Sequence, residues 1–230
     1  MAKKRVTKKT NTKEERKPSP KKDNNKEIYI ILAIMGFILV LLLSFNYFYK
    51  NINHFKYQGL PFTKENYDKL PVFHYYYYFT DSAGQQYQYN LYLQTDPRKN
   101  DIPITGKIEL PAEGDPVYVS INGTGLTDCK AASTGVATLA GFLVANLFDS
   151  KAGLADAAEA EKNNLTHIDC DTNPYDITIK LQAGEVTKIT KEANCHIISI
   201  ANCEVVPAIE KFEVQAILDA KARKAAEAKG

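Results

Sequence analysis

From Ile28 to Phe48 the chain runs for 21 residues without a single charge. At about 1.5 Å per residue, a helix of that length matches a hydrocarbon core of about 30 Å, so the pattern predicts a membrane-spanning helix over residues 27–49, with residues 28–48 against lipid. Tyr29 stands at one edge and Tyr47, Phe48 and Tyr49 at the other, where amphipathic rings favour the headgroup region. The run is longer than the apolar region of a cleaved signal peptide and ends in Ser44-Phe45-Asn46-Tyr47, not in small residues. An uncleaved signal anchor is therefore expected.

Beyond the span the rhythm changes. Gly59, Pro61 and Pro71 interrupt any period, so residues 50–71 read as a linker with local turns. Val72–Phe79 is β-branched and aromatic, Asp81-Ser82-Ala83-Gly84 supplies turn chemistry, and Tyr87, Tyr89, Leu91 and Leu93 alternate with polar residues, the pattern of a β-hairpin. Ile102–Leu110 reads as a short edge strand. Val117–Ile121 is an apolar run of buried-strand type, followed by a helix capped at Thr127 or Asp128 and running to about Phe148. A further helix is expected from Lys151 to Lys162, an extended piece at His167–Asp169, a second hairpin from Asp176–Leu181 and Val186–Thr190, and a strand at Cys195–Ala201. From Val205 the positions Val206, Ile209, Phe212 or Val214, and Ile217 recur at helical spacing. The fold class is therefore α/β or α+β: one domain over 72–222 with a mixed sheet, the Tyr-rich hairpin at one edge and packed helices, ending in a frayed tail over 223–230. Residues 131–148 also lack charge, but Ser133, Thr134, Gly135, Thr138, Gly141 and Asn146 dilute them, and a core helix is the better reading.

Charge sets the orientation. Residues 1–26 hold 11 Lys/Arg against 3 Asp/Glu, whereas the remainder is acidic overall although the whole chain is at +2. The positive-inside rule keeps this tail in the cytoplasm and puts the C-terminal domain outside. The tail has no apolar period and reads as disordered. Its lysines suit anionic lipid or plain topogenesis, and with no aromatic residue interleaved to stack on bases, nucleic acid is not expected as a partner.

All four cysteines, Cys129, Cys170, Cys195 and Cys203, follow the span, in a compartment where disulfides persist. Cys195 and Cys203 bracket an apolar strand; eight steps at about 3.3 Å hold them about 26 Å apart, beyond bridging distance. Cys129 and Cys203 each follow a strand that leads into a helix. Parallel neighbours would bring them together, leaving Cys170 for Cys195. No C-x-x-C pair supports zinc or redox catalysis.

Candidate chemistry is sparse. Gly123-Thr124-Gly125 stands between a strand and a helix, but Asp128 replaces the third glycine of the dinucleotide pattern and would repel a pyrophosphate. Asp169, Asp171 and Asn173 begin a calcium-loop spacing that Pro174 and Lys180 break. His54, His74, His167 and His196 are scattered, with His196 in a buried strand. Asn122 and Asn164 head glycosylation sequons. No catalytic residue, metal ligand or cofactor is assigned, and catalysis is not the expected role.

The Tyr-rich hairpin, the turn Thr95-Asp96-Pro97-Arg98 with Ile102-Pro103-Ile104 after it, Val117-Tyr118-Val119-Ser120, and Cys195-His196-Ile197-Ile198 before the last helix resemble a group of single-pass archaeal membrane proteins with an extracytoplasmic domain. That resemblance implies a cell-surface protein and no mechanism. The expected function is a membrane-anchored binding or structural protein that docks a protein partner or envelope component, with Tyr75, Tyr76, Tyr77 and Tyr78 as the contact. The alternative is an extracytoplasmic hydrolase or small-ligand receptor with its site at the C-terminal ends of the central strands, near Ser120, Asn122, Gly123, Asp128 and Asn202.

Overall fold

The computed structural model describes residues 25–111 and 113–228, so all but the last two residues of the basic tail lie outside it. The chain divides after Tyr49 into two units. In the first, helix α1 begins at Asn25 and continues to Asn53. Its stretch Asn25–Phe45 is long and apolar enough to cross a membrane, and its large apolar side chains stay open, from Phe45 at 73% to Ile38 at 50% exposed. In water such a surface would be strongly unfavourable; lipid removes that cost, and the helix suits a membrane anchor.

The second unit is a mixed α/β fold with two sheets. Strands β1 (His54–Tyr57), β2 (Leu60–Tyr67), β3 (Leu70–Thr80) and β4 (Gln86–Leu93) form an antiparallel sheet in that order. The stretch expected as a linker is thus largely strand. Of the residues that looked like breakers, Pro61 and Pro71 lie within β2 and β3, and only Gly59 is a turn residue: Gln58 and Gly59 have φ of 47° and 84°, the left-handed pair that a two-residue hairpin needs, and Tyr57 pairs with Leu60 across it. The Tyr-rich hairpin, β3 with β4, belongs to this sheet and is no edge addition to the other one.

The second sheet has six strands in the order β5-β9-β10-β8-β6-β7, built from β5 (Ile104–Thr105), β6 (Pro116–Ile121), β7 (Asp149–Leu154), β8 (Ile177–Ala183), β9 (Lys188–Glu192) and β10 (Cys195–Ile200). Every neighbouring pair is parallel except β9 with β10. The expected hairpin of β8 with β9 is not formed: β10 inserts between them, so that Ile179, Leu181, Ile189 and Ile198 all reach one core. The helix expected from Lys151 is also corrected. Asp149–Leu154 pairs in register with Pro116–Ile121, and the helix α3 (Ala157–Lys162) starts only where Asp156 caps it, accepting from Glu159 N at 2.8 Å. Gly153 permits this, because a Cβ there would meet Thr166 O and Ile168.

Helices α2 (Ala132–Ala145) and α4 (Val205–Glu227) lie between the sheets. Helix α2 lies within the uncharged run 131–148 and is a core helix: at 14 residues it is short, and Leu139, Phe142 and Leu143 are buried in the core. Helix α4 has two buried stripes. Val205, Ala208, Ile209, Phe212 and Ala216 form one, and Phe212 meets His196 of β10 edge-on at 5.8 Å. Glu210, Glu213, Val214 and Ile217, at i, i+3, i+4 and i+7, form the other and face the first sheet, where Glu210 holds Gln94 and Thr95 at the end of β4. The helix continues through most of the expected tail, to Glu227. At Gly135 a Cβ would stand 2.6 Å from Val205 Cγ1, so glycine sets how closely α2 approaches α4.

Candidate functional site: the aromatic face of the first sheet

A strand alternates its side chains between two faces, and β3 does so with tyrosines on both. Tyr75 is 4% exposed and joins the core, with Tyr77 packed against it. The Tyr77 hydroxyl donates to Asn146 Oδ1 at the end of α2. Burial pushes the phenols of Tyr77 and Tyr89 well above their ordinary range. Tyr76 and Tyr78 point the other way, 52% and 57% exposed. Of the four expected contact residues, two are therefore structural and two remain open to a partner.

The outer face extends beyond β3. Tyr67 on β2 and Tyr92 on β4 are also exposed, and their rings meet edge-on at 6.3 Å. His74 stacks on Tyr92 with ring centroids 4.5 Å apart and lies 6.0 Å from Tyr76, which in turn meets Tyr78 at 6.0 Å. Both nitrogens of His74 are engaged: Nδ1 lies 3.0 Å from Glu65 Oε1, and Nε2 lies 3.2 Å from Asn90 Oδ1, which also accepts from Gln88 at 2.9 Å. A polar network thus fixes the ring around which the tyrosines are arranged. Such rings offer contact area with few rotatable bonds, so they lose little entropy on binding. At the Thr80 end the sheet borders a cleft of about 540 Å³, lined by Tyr77, Tyr78, Phe79, Phe148 and Ile217, with Lys221 and Lys224 also on its wall.

The residues of the strand-end alternative are more scattered. Ser120 is fully buried and its hydroxyl donates to Ile168 O at 2.6 Å. Asn122 Oδ1 accepts from Thr124 N at 3.1 Å, closing a local turn. Gly123 lies beside the Glu159 carboxylate, and Asp128 is exposed. Asn202, with φ of 50°, lines a shallow cavity with Thr187 and Glu204 in which the other four take no part. The Ser120 hydroxyl is therefore closed off against Ile168 and not open at a strand end.

Cys129 joins Cys203 with sulfurs 2.06 Å apart, tying the approach to α2 to the approach to α4. Cys170 joins Cys195, with Cα atoms 5.5 Å apart. These are the pairs expected from the strand ends. The broken calcium loop holds an ion pair instead: Lys180 Nζ donates to both Asp169 oxygens, at 2.7 and 3.0 Å.

Glu210, Glu213 and His196 are buried polar groups, of which the sequence pattern marks only His196 as buried. Glu210 and Glu213 sit inside an apolar stripe, a pattern that could have marked them. Both carboxyls are pushed up by burial, Glu213 much further, with Glu210 beside it adding to the shift. His196 is fully buried; its Nε2 lies 3.0 Å from Glu109 O, and burial holds its pKa below the usual range. Neither carboxyl oxygen of Glu213 nor Nδ1 of His196 has a hydrogen-bond partner among the described residues.

Compared with known proteins, the chain matches no family model, no curated protein and no solved structure.

Proposed function

We propose that this protein is a membrane-tethered, extracytoplasmic binding protein that docks a protein partner or envelope component on the outer face of its first sheet. The observation that carries the reading is the set of four exposed tyrosines, Tyr67, Tyr76, Tyr78 and Tyr92, arranged about the pre-ordered His74 network. Exposed aromatic rings beside fixed hydrogen-bonding groups are the composition of binding hot spots. An extracytoplasmic position is supported by the apolar helix at the N-terminal side, the basic residues before it and the two disulfides after it. The hydrolase reading draws no comparable support, because its serine is buried and bonded to a backbone carbonyl.

The test is capture from native membranes with the full chain as bait. Tyr76→Ala with Tyr78→Ala should reduce partner recovery by about tenfold or more, the loss expected when hot-spot tyrosines are truncated. Unchanged recovery by a folded double variant would sink the proposal.

A further inference from the structure

Tyr75, Tyr77 and Phe79 follow one another on the inner face of β3, with neighbouring ring centroids 5.9 and 6.1 Å apart. Helix α2 ends at Ala145, and the Tyr77 hydroxyl meets Asn146 just past that end. Phe79 lies beyond this contact and is only half-buried. With Phe148, which follows α2, and Ile217 of α4, it lines the cleft of about 540 Å³ at the Thr80 end of the sheet. That size falls within the range of about 300–1,000 Å³ that small-ligand sites occupy. We propose that this cleft binds a single-chain amphiphilic monoanion, a long-chain carboxylate, with its apolar chain against the rings and its carboxylate at the lysines of α4.

The polarity of the cleft is ordered along α4. Ile217, Ala220, Lys221 and Lys224, at i, i+3, i+4 and i+7, line it from one face of the helix. Ile217 is 5% exposed, whereas both lysines are open to solvent. Seven steps at about 1.5 Å set the apolar and cationic ends about 10 Å apart. A ligand that satisfies both ends is therefore apolar at one and anionic at the other, which neither a plain hydrocarbon nor a small inorganic anion is. Charge complementarity then sets the valence. Lys221 and Lys224 stand against one acidic residue of the lining, Glu113, whose Oε2 already accepts from Ser82 N at 2.8 Å. Neither lysine has an ion pair among the described residues, so one net positive charge is left for a monoanion. Lys221 is also held in place: its Nζ donates to the Tyr75 hydroxyl at 3.4 Å and lies 5.8 Å from the centre of that ring. An ordered side chain loses less entropy when it binds. Tyr78 borders both this cleft and the outer aromatic face, but the other outer tyrosines take no part here, so the cleft stands or falls separately from docking on that face.

The probe is dodecanoate carrying a photoreactive diazirine on its chain, irradiated with the full chain in a neutral detergent and located by peptide mapping. The cleft predicts saturable labelling concentrated in the peptides that hold Phe148 and Ile217. Unlabelled dodecanoate should suppress it at concentrations about tenfold or more below those needed of dodecyltrimethylammonium, which has the chain with the wrong charge, or of acetate, which has the charge without the chain. Lys221→Gln with Lys224→Gln, at two exposed positions that the fold does not need, should weaken labelling of those peptides about threefold or more. Labelling confined to α1 or spread evenly over the chain, equal suppression by the cationic amphiphile or by acetate, or undiminished labelling of the folded lysine variant would overturn the proposal.

Discussion

Glu213 follows Glu210 by less than one turn on the same buried stripe of α4, yet Glu210 receives the backbone N–H groups of Gln94 and Thr95, at 2.5 and 3.0 Å, and Glu213 receives none. Glu210 is a structural acceptor that closes the end of β4. Glu213 has only its proton to limit the cost of burial. Its pKa in the fold is raised above the unfolded value of about 4.3, so the folded state binds more protons and stability falls as pH rises from that value through the raised one. Denaturant midpoints measured from pH 4 upward should decline for the parent chain and decline less for Glu213→Gln. At neutral pH that variant should be as stable as the parent or more so. Glu210→Ala should instead lose about 2 kcal/mol or more, because two backbone donors are left unpaired.

His196 works in the opposite direction. Burial depresses its pKa, so the unfolded chain takes up a proton below about 6.5 that the fold resists. Its contribution is present above that value and is lost as pH falls. His196→Gln should be less stable than the parent at neutral pH but lose less between pH 7 and 5, and the same denaturation series would show the difference.

The parts of the fold that were legible in the sequence are those set by local period. Helix α1 follows from an unbroken apolar run, β3 as a strand from its β-branched and aromatic run, and the cysteine pairs from strand ends that parallel pairing brings together. What was not legible depends on distant partners. Asp149–Leu154 has the Lys and Ala content of a helix and becomes strand because β6 offers it an edge. Strand β9 leaves β8 because β10 fits between them. Pro61 and Gly59 read as breakers until the hairpin that uses them is seen. The candidate site was half legible: the Tyr run in β3 showed it, but Tyr67, His74 and Tyr92 join only through strand register.

The two faces of β3 separate stability from binding. Tyr75→Ala removes a ring that is 4% exposed and packs at 5.5 Å from Phe62, and should cost about 3 kcal/mol or more. Tyr76→Ala and Tyr78→Ala remove half-exposed rings and should each cost about 1 kcal/mol or less. Thermal melts of the single variants, run beside the capture experiment, would reveal a reversed facing if the order were inverted.

Orientation is open to a direct test. With the basic tail in the cytoplasm, protease added to intact cells should degrade epitopes placed after Glu227 and leave one placed at the N-terminus untouched. The opposite pattern would invert the topology and remove the oxidising surroundings that the disulfides need.

The disulfides give the last prediction. Cys129 and Cys203 are 74 residues apart in sequence and Cys170 and Cys195 are 25 apart, and chain entropy gives closures of those lengths about 4 and about 3 kcal/mol. The first bridge joins the segments that enter α2 and α4, the two helices between the sheets, so its loss should loosen the core. The second holds residues 169–176 against the outer sheet face, where Thr178 already lies beneath them, so its loss should free that loop while the core stays intact. Non-reducing peptide mapping should return Cys129–Cys203 and Cys170–Cys195 and no other pair. Cys129→Ala with Cys203→Ala should lower the global unfolding midpoint, whereas Cys170→Ala with Cys195→Ala should increase amide exchange chiefly over 169–176. Four alkylatable thiols in the native protein would remove both bridges, and with them the main support for an extracytoplasmic domain.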